Sequence, residues 1–180
     1  MEITDQNITL RKFTPDDAPA LAMLCNNSNI WDNLRDYIPN PYTEADAAGF
    51  INHCLTEHPP VTFAITYKGN LAGCIGLVPQ TDVYRLSAEI GYWVGEPFWA
   101  KGIATRAVQM ITRYGFEQLG LLRIYSGVFG FNTASQRVLE KAGYKLECVF
   151  EKSIVKNNRI ADEYRYAKLN EAFDFKNQQT

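Results

Sequence analysis

Trp93-Val94-Gly95-Glu96-Pro97-Phe98-Trp99-Ala100-Lys101-Gly102-Ile103-Ala104-Thr105 is the stretch on which the fold turns. It leaves a bulky apolar run (Ser87 to Val94), crosses a Gly- and Pro-containing turn, and enters a segment of helical period. There Ala107, Ile111 and Tyr114 share one face, joined by Val108 and Leu119. Small residues at Gly102 and Ala104 let the backbone approach a diphosphate, and the first N–H groups of the helix point at it along the helix dipole. Lys101 and Arg106 add charge-assisted contacts. Two other phosphate loops are excluded. A dinucleotide fingerprint needs GxGxxG, and Gly102-Ile103-Ala104-Thr105-Arg106-Ala107 supplies only its first glycine. A P-loop needs a second glycine followed by Lys-Ser/Thr; Gly95 to Lys101 puts Ala100 in place of that glycine and Gly102 in place of the hydroxyl that would hold magnesium.

Outward from the loop, Gly120 ends the helix and Leu122 to Val128 reads as a strand. A helical crossover returns the chain in the same direction, so Ser87–Val94 and Leu122–Val128 are expected to pair in parallel. Thr133 to Ala142 follows as a helix stopped by Gly143, and Lys145–Val155 and Ile160–Leu169 form a hairpin around Lys156-Asn157-Asn158-Arg159. Upstream, Ile8 to Phe13 alternates as a first strand. Thr14-Pro15-Asp16-Asp17 then starts a helix that runs to about Cys25. Asn26 to Pro41 reads as an ordered loop or helical turns. A second helix begins at Thr43, in capping-box spacing with Asp46, and ends before Pro59-Pro60. Val61–Tyr67 and Leu71–Val78 flank the hairpin signal Lys68-Gly69-Asn70. With no repeat and no Gly/Ser/Pro linker, the whole of 1–180 is expected to be one α/β (mixed α+β) domain.

The net charge of -2 lacks the basic excess that direct nucleic-acid binding needs. No apolar run approaches the roughly 20 residues that span a bilayer, and the first residues carry no secretory pattern. Cys25, Cys54, Cys74 and Cys148 form no CxxC pair and read as buried free thiols in a reducing, cytoplasmic setting. His53 and His58 are five apart, which forms no HExxH site, so no metal is expected, and no G-x-S-x-G nucleophile elbow is present.

Three segments together resemble the GNAT superfamily of acetyl-CoA-dependent N-acetyltransferases, and within it the RimJ/RimL branch. Trp99-Ala100-Lys101-Gly102-Ile103-Ala104 resembles the acetyl-CoA signature Q/R-x-x-G-x-G/A in the form with an aromatic at its first place. Glu89-Ile90-Gly91-Tyr92-Trp93-Val94 resembles the strand before it. Asn132-Thr133-Ala134-Ser135, then Glu140-Lys141-Ala142-Gly143-Tyr144, resembles the N-x-x-S … K-x-G-F/Y segment. The resemblance implies a mostly antiparallel central sheet whose parallel pair splays at the cofactor site. It implies acetyl-CoA as cosubstrate, held by Tyr92, Trp93, Val94, Trp99, Ala100, Lys101, Gly102, Ile103, Ala104, Thr105 and Asn132. Backbone N–H groups at Tyr92, Trp93 and Val94 would meet the pantetheine and the thioester carbonyl, stabilising the oxyanion that develops during attack.

The same resemblance implies direct transfer to an amine. A lysine-type amine costs about 4–5 kcal/mol to deprotonate at pH 7, an α-amine only about 1. Glu89 matches the strand glutamate that serves relatives as base, with a structural ion pair as its alternative. The usual tyrosine acid falls on Leu139, whereas Ser135 matches the serine of RimL-like members and is placed to donate to the departing sulfur. Trp31, Asp32, Arg35, Asp36 and Tyr37 lie in the region that lines the acceptor site of relatives. The acceptor expected is a protein or peptide N-terminal α-amine. The alternatives are a small amine such as a polyamine or antibiotic, or a CoA-binding module without catalysis. A monomer or homodimer is expected.

Overall fold

In the computed structural model, which describes residues 2–174, the chain opens with a hairpin that hydrophobic patterning does not announce. β1 (Glu2–Asp5) pairs antiparallel with β2 (Ile8–Arg11). β1 is short and mostly exposed, so no alternation marks it, and the expected first strand stops at Arg11 rather than Phe13. Arg11 then forks onto Asp17, with both nitrogens 2.7 Å from its two carboxylate oxygens. Thr14 donates to the same carboxylate from its N–H (2.8 Å) and its hydroxyl (3.1 Å). This knot starts the helix, but the first turn, Pro15–Asp17, is 3-10 before α1 (Ala18–Cys25) begins. α2 (Ser28–Trp31) is a single turn in the expected irregular stretch. α3 (Glu44–Leu55) carries the predicted capping box, with the Asp46 N–H on Thr43 Oγ1 at 3.2 Å and the Thr43 N–H on Asp46 Oδ2 at 2.8 Å.

β3 (Thr62–Tyr67) and β4 (Asn70–Pro79) form the predicted hairpin; β5 (Ser87–Val94), α4 (Ile103–Glu117) and β6 (Arg123–Phe129) form the crossover unit. α5 (Thr133–Lys141), β7 (Lys145–Lys156) and β8 (Arg159–Leu169) complete the described chain. The eight strands make one sheet in the order β1-β2-β3-β4-β5-β6-β8-β7. Every neighbouring pair is antiparallel except β5 and β6.

The parallel pair is short. It holds Ser87 opposite Arg123, Ala88 opposite Ile124 and Glu89 opposite Tyr125, then stops. On its other edge β5 stays paired with β4 as far as Gly73 opposite Val94. From Ile90 onward, therefore, one edge of β5 has no strand beside it among the described residues.

Packing explains the two kinds of strand pattern. Phe63, Ile65, Ile75 and Leu77 face α4 in a core shared with Ile90, Ile111, Ile124 and Leu139. Ala64 and Cys74, between them in sequence, face the other way into a core with Phe13, Leu21 and Ile51. β3 and β4 are thus covered on both faces and read as continuous apolar runs. β6 is buried on alternate residues only, and nearly all of β7 is exposed. Cys25, Cys54 and Cys74 are buried free thiols, as expected; Cys148 is free but exposed, because it lies on the edge strand β7.

Candidate active site

The loop after β5 makes one 3-10 turn (Glu96–Phe98) and then doubles back through two left-handed residues, Ala100 (φ 59°) and Gly102 (φ 72°). Glycine takes that conformation freely; for Ala100 it costs about 1–2 kcal/mol, a strain that collects at functional turns. Gly102 is the N-cap of α4, and no side chain among the described residues caps it. The N–H groups of Ile103, Ala104 and Thr105, which have no partner within a helix, thus remain for a ligand. The Trp99 indole closes the loop by donating to the Val94 carbonyl. Lys101 lies along it, its Nζ 2.6 Å from the Pro97 carbonyl oxygen and 5.4 Å from the Phe98 ring centre.

A cleft of about 600 Å3 opens above this loop, and every cofactor residue expected from the sequence lines it, with Ser135 beside them. Its far wall is α5, and its roof is Asn29 and Ile30 of α2 with Asn33 and Leu34 of the turn that follows. Glu96 fastens that roof to the loop: its carboxylate accepts from Asn27 (2.6 Å) and Asn29 (3.3 Å), bonds that hold its carboxyl below the usual range. Arg106 does not join the cleft, because it turns to Asp5 at 3.5 Å. Its place as a cation is taken by Arg137 and Lys141, which sequence reasoning passed over. Their i, i+4 spacing on the helix that follows Asn132 was the available signal. Uncapped helical N–H groups, a left-handed glycine and three cations suit the phosphates of coenzyme A.

Hydrogen-bond phase decides which N–H groups of β5 are open. Gly95 donates to Ala72 and Gln80 donates to Ser87, so the odd residues of β5 bond to β4. Tyr92 and Val94, in the opposite phase, turn their N–H groups into the open seam toward β6. Trp93, expected to do the same, turns its N–H to β4 and lines the cleft by other atoms.

The two candidate chemical residues lie on opposite faces of β5. The Tyr92 side chain packs with Ile90 and Val94 on the α4 side, and there its hydroxyl meets Ser135 Oγ at 2.8 Å and the Ser135 carbonyl oxygen at 3.2 Å. Burial pushes the Tyr92 phenol well above its ordinary value, against the pull of the Ser135 hydrogen bond. Asn132 caps α5 by accepting the Ser135 N–H at 3.1 Å, which leaves its amide NH2 directed elsewhere. Leu139 is fully buried in the core, so no acid group stands at that position. Glu89 lies on the other face, at the last paired rung, where Arg35 binds its carboxylate. It lies outside the cleft that Ser135 lines. Across that rung, burial and then the Glu89 charge raise the Tyr125 phenol.

The expected acceptor residues form a clasp rather than a pocket lining. Lys156, only 3% exposed, bonds Asp36 at 2.7 Å and lies 3.5 Å above the centre of the Trp31 ring. The Trp31 indole donates to the Ile38 carbonyl (2.9 Å), and Asp32 accepts from Asn157 (2.9 Å). Arg35 reaches Glu89, and Tyr37 is exposed. Of the five, Asp32 alone lines the second cleft, of about 780 Å3, between α2 and the β7–β8 turn. Asn29 and Asn33 are common to both clefts, so the two adjoin under α2.

The sequence model for the acetyltransferase (GNAT) domain matches residues 7–145. The chain is 32% identical over 179 residues to the uncharacterized N-acetyltransferase YnaD of Bacillus subtilis (97% of this chain, 100% of that one). It is 25% identical over 142 residues to the spermidine N(1)-acetyltransferase of Escherichia coli K12, covering 78% of this chain and 74% of that one. Among solved structures, a GNAT-family acetyltransferase from Bacillus anthracis superposes with a TM-score of 0.81 at 29% identity, over 94% of this chain and 98% of that one. The microcin C7 self-immunity acetyltransferase MccE, solved with acetyl-CoA and AMP, gives 0.78 at 26% identity, over 92% and 94%. RimL, the ribosomal L7/L12 alpha-N-protein acetyltransferase solved with coenzyme A, gives 0.81 at 20%, over 94% and 98%, a likeness of fold. With its mixed sheet, short parallel pair and the family match over most of its length, the chain belongs to the GNAT family of N-acetyltransferases.

Proposed function

We propose that this enzyme takes its acetyl group from acetyl-CoA and delivers it to the α-amine of a protein or peptide N-terminus. The observation that carries the cosubstrate is the open seam. Two free N–H groups at Tyr92 and Val94 lead to an uncapped α4 N-terminus with Lys101, Arg137 and Lys141 around it. Acetyl-CoA supplies an activated acyl carbon and a thiolate leaving group. The seam N–H groups stabilise negative charge on the acyl oxygen, and α5 presents Ser135 on the sulfur side.

The acceptor enters from the opposite face, where Glu89 is the carboxylate available to take the amine proton once Arg35 yields it. Support for an α-amine comes from charge. Glu89, Asp36 and Glu163 on this side each already hold an arginine or lysine, which leaves little for a polycation. An α-amine also needs less help to lose its proton. The second reading, a polyamine, is favoured by the likeness to spermidine N(1)-acetyltransferase. Release of free CoA thiol, followed with separate amine classes, tests both; no release with any amine would leave a CoA-binding module.

A further inference from the structure

The Tyr92 phenol, partly buried in the wall of the cleft, lies within hydrogen-bond distance of a single residue among those described, Ser135, at 2.8 Å from its hydroxyl and 3.2 Å from its carbonyl oxygen. Two arrangements satisfy these distances. In one, Ser135 gives its hydrogen to the phenol oxygen and the phenol gives its own to the carbonyl. In the other, the phenol gives its hydrogen to Ser135 Oγ, and the serine hydrogen is left free. We infer that the second holds, and that Tyr92 is a positioning residue which fixes the Ser135 rotor so that its hydrogen points into the cleft toward the departing sulfur. The inference rests on the acetyl-transfer reading above.

Three observations support it. An O–H···O bond of 2.8 Å is of ordinary length, whereas 3.2 Å is long, so the stronger bond is the one to Oγ. A phenol is more acidic than an aliphatic alcohol, and the alcohol oxygen is the more basic; the better donor therefore faces the better acceptor. Burial raises the phenol, which favours its protonated, hydrogen-donating form. The buried Leu139 gives this pair its purpose, since the position of the usual tyrosine acid is sealed in the core.

The pair donates hydrogen bonds without giving up a proton. As the amine nitrogen bonds the acyl carbon, the C–S bond breaks with its electron pair on sulfur, and the amine proton leaves on the Glu89 face. A phenol raised above its usual value near 10 is a weaker acid than a thiol near 8.5, so transfer from Tyr92 through Ser135 to sulfur runs uphill by more than roughly 30-fold.

The test uses the full chain and begins without turnover. The wild-type minus Tyr92→Phe Raman difference spectrum isolates the phenol doublet, which separates donors from acceptors. A donor signature that weakens in Ser135→Ala is expected; an acceptor signature overturns the inference. In kinetics, Tyr92→Phe is expected to lower kcat about tenfold or more while CoA affinity by calorimetry stays within about twofold. Ser135→Thr, which keeps a hydroxyl, should recover most of what Ser135→Ala loses, and the double variant should be no slower than Ser135→Ala. Wild-type kcat in Tyr92→Phe, or losses that multiply in the double variant, would overturn it. A wild-type protein that releases no CoA with any amine sinks the acetyl-transfer reading and the serine's role with it, while the spectrum still decides the direction of the bond.

Discussion

Gly102 holds the left-handed N-cap of α4 at φ 72°, and an added Cβ there would meet nothing within 4 Å. Substitution therefore costs backbone strain of about 1–2 kcal/mol rather than a clash. Gly102→Glu adds to that strain a carboxylate beside the uncapped N–H groups, where coenzyme A would place its phosphates. Calorimetry is expected to show no CoA binding by a variant whose circular dichroism remains native; unchanged affinity would remove the loop from the cofactor site. Glu89 poses a sharper question, because its carboxylate has two claims on it. If it accepts the amine proton, Glu89→Gln lowers kcat at least about tenfold with CoA affinity unaltered. A variant at wild-type kcat would leave Glu89 as the ion-pair partner of Arg35 and nothing more.

At the scale of elements, the knot joining β2 to the start of α1 makes a stability prediction with a definite sign. Burial pushes the Asp17 carboxyl up, but the bonds from Arg11 and Thr14 outweigh it and hold the carboxyl below its ordinary value. A depressed folded pKa stabilises above the unfolded value near 3.9, and that stability is lost as pH falls through the folded value. Asp17→Asn should therefore cost about 1–3 kcal/mol at pH 7, and the gap from wild type should close as the pH drops below about 4. Urea unfolding at pH 7 and pH 3.5 measures both; an equal gap at the two would remove the charged carboxylate from the account. The same elements show what patterning can read. Thr14-Pro15-Asp16-Asp17 and Thr43 with Asp46 were legible because a cap is local, its partners three residues apart. β1 was not, since four mostly exposed residues carry no period.

For the whole molecule, the two faces of the sheet divide the work. The α4–α5 face holds the cleft beside the α4 N-terminus, and the face bearing Glu89 lies open toward β7 and β8. At pH 7 roughly a tenth of an α-amine is neutral, against about one part in a thousand or less of a lysine-type amine. Short peptides with free N-termini should thus show a higher kcat/KM than spermidine or N-terminally blocked lysine peptides, with products mapped by mass spectrometry. A clear preference for spermidine would overturn the α-amine while leaving acetyl transfer in place.

Sequence by itself determined the strand–loop–helix around Gly102, the parallel return through β6, the two hairpins and a set of eleven residues that all line one cleft. These depend on neighbours along the chain: period, caps, small residues where a backbone must come close. Only the tertiary structure decided that Arg35, 54 positions away, occupies Glu89, and that Tyr92 meets Ser135, 43 positions on. It also decided that Arg137 and Lys141, not Arg106, face the cleft, and that Tyr92 and Val94, not Trp93, offer their N–H groups. Those facts follow from which strand edge is paired and which helix face is packed, and packing brings together residues whose order in the chain carries no trace of the meeting.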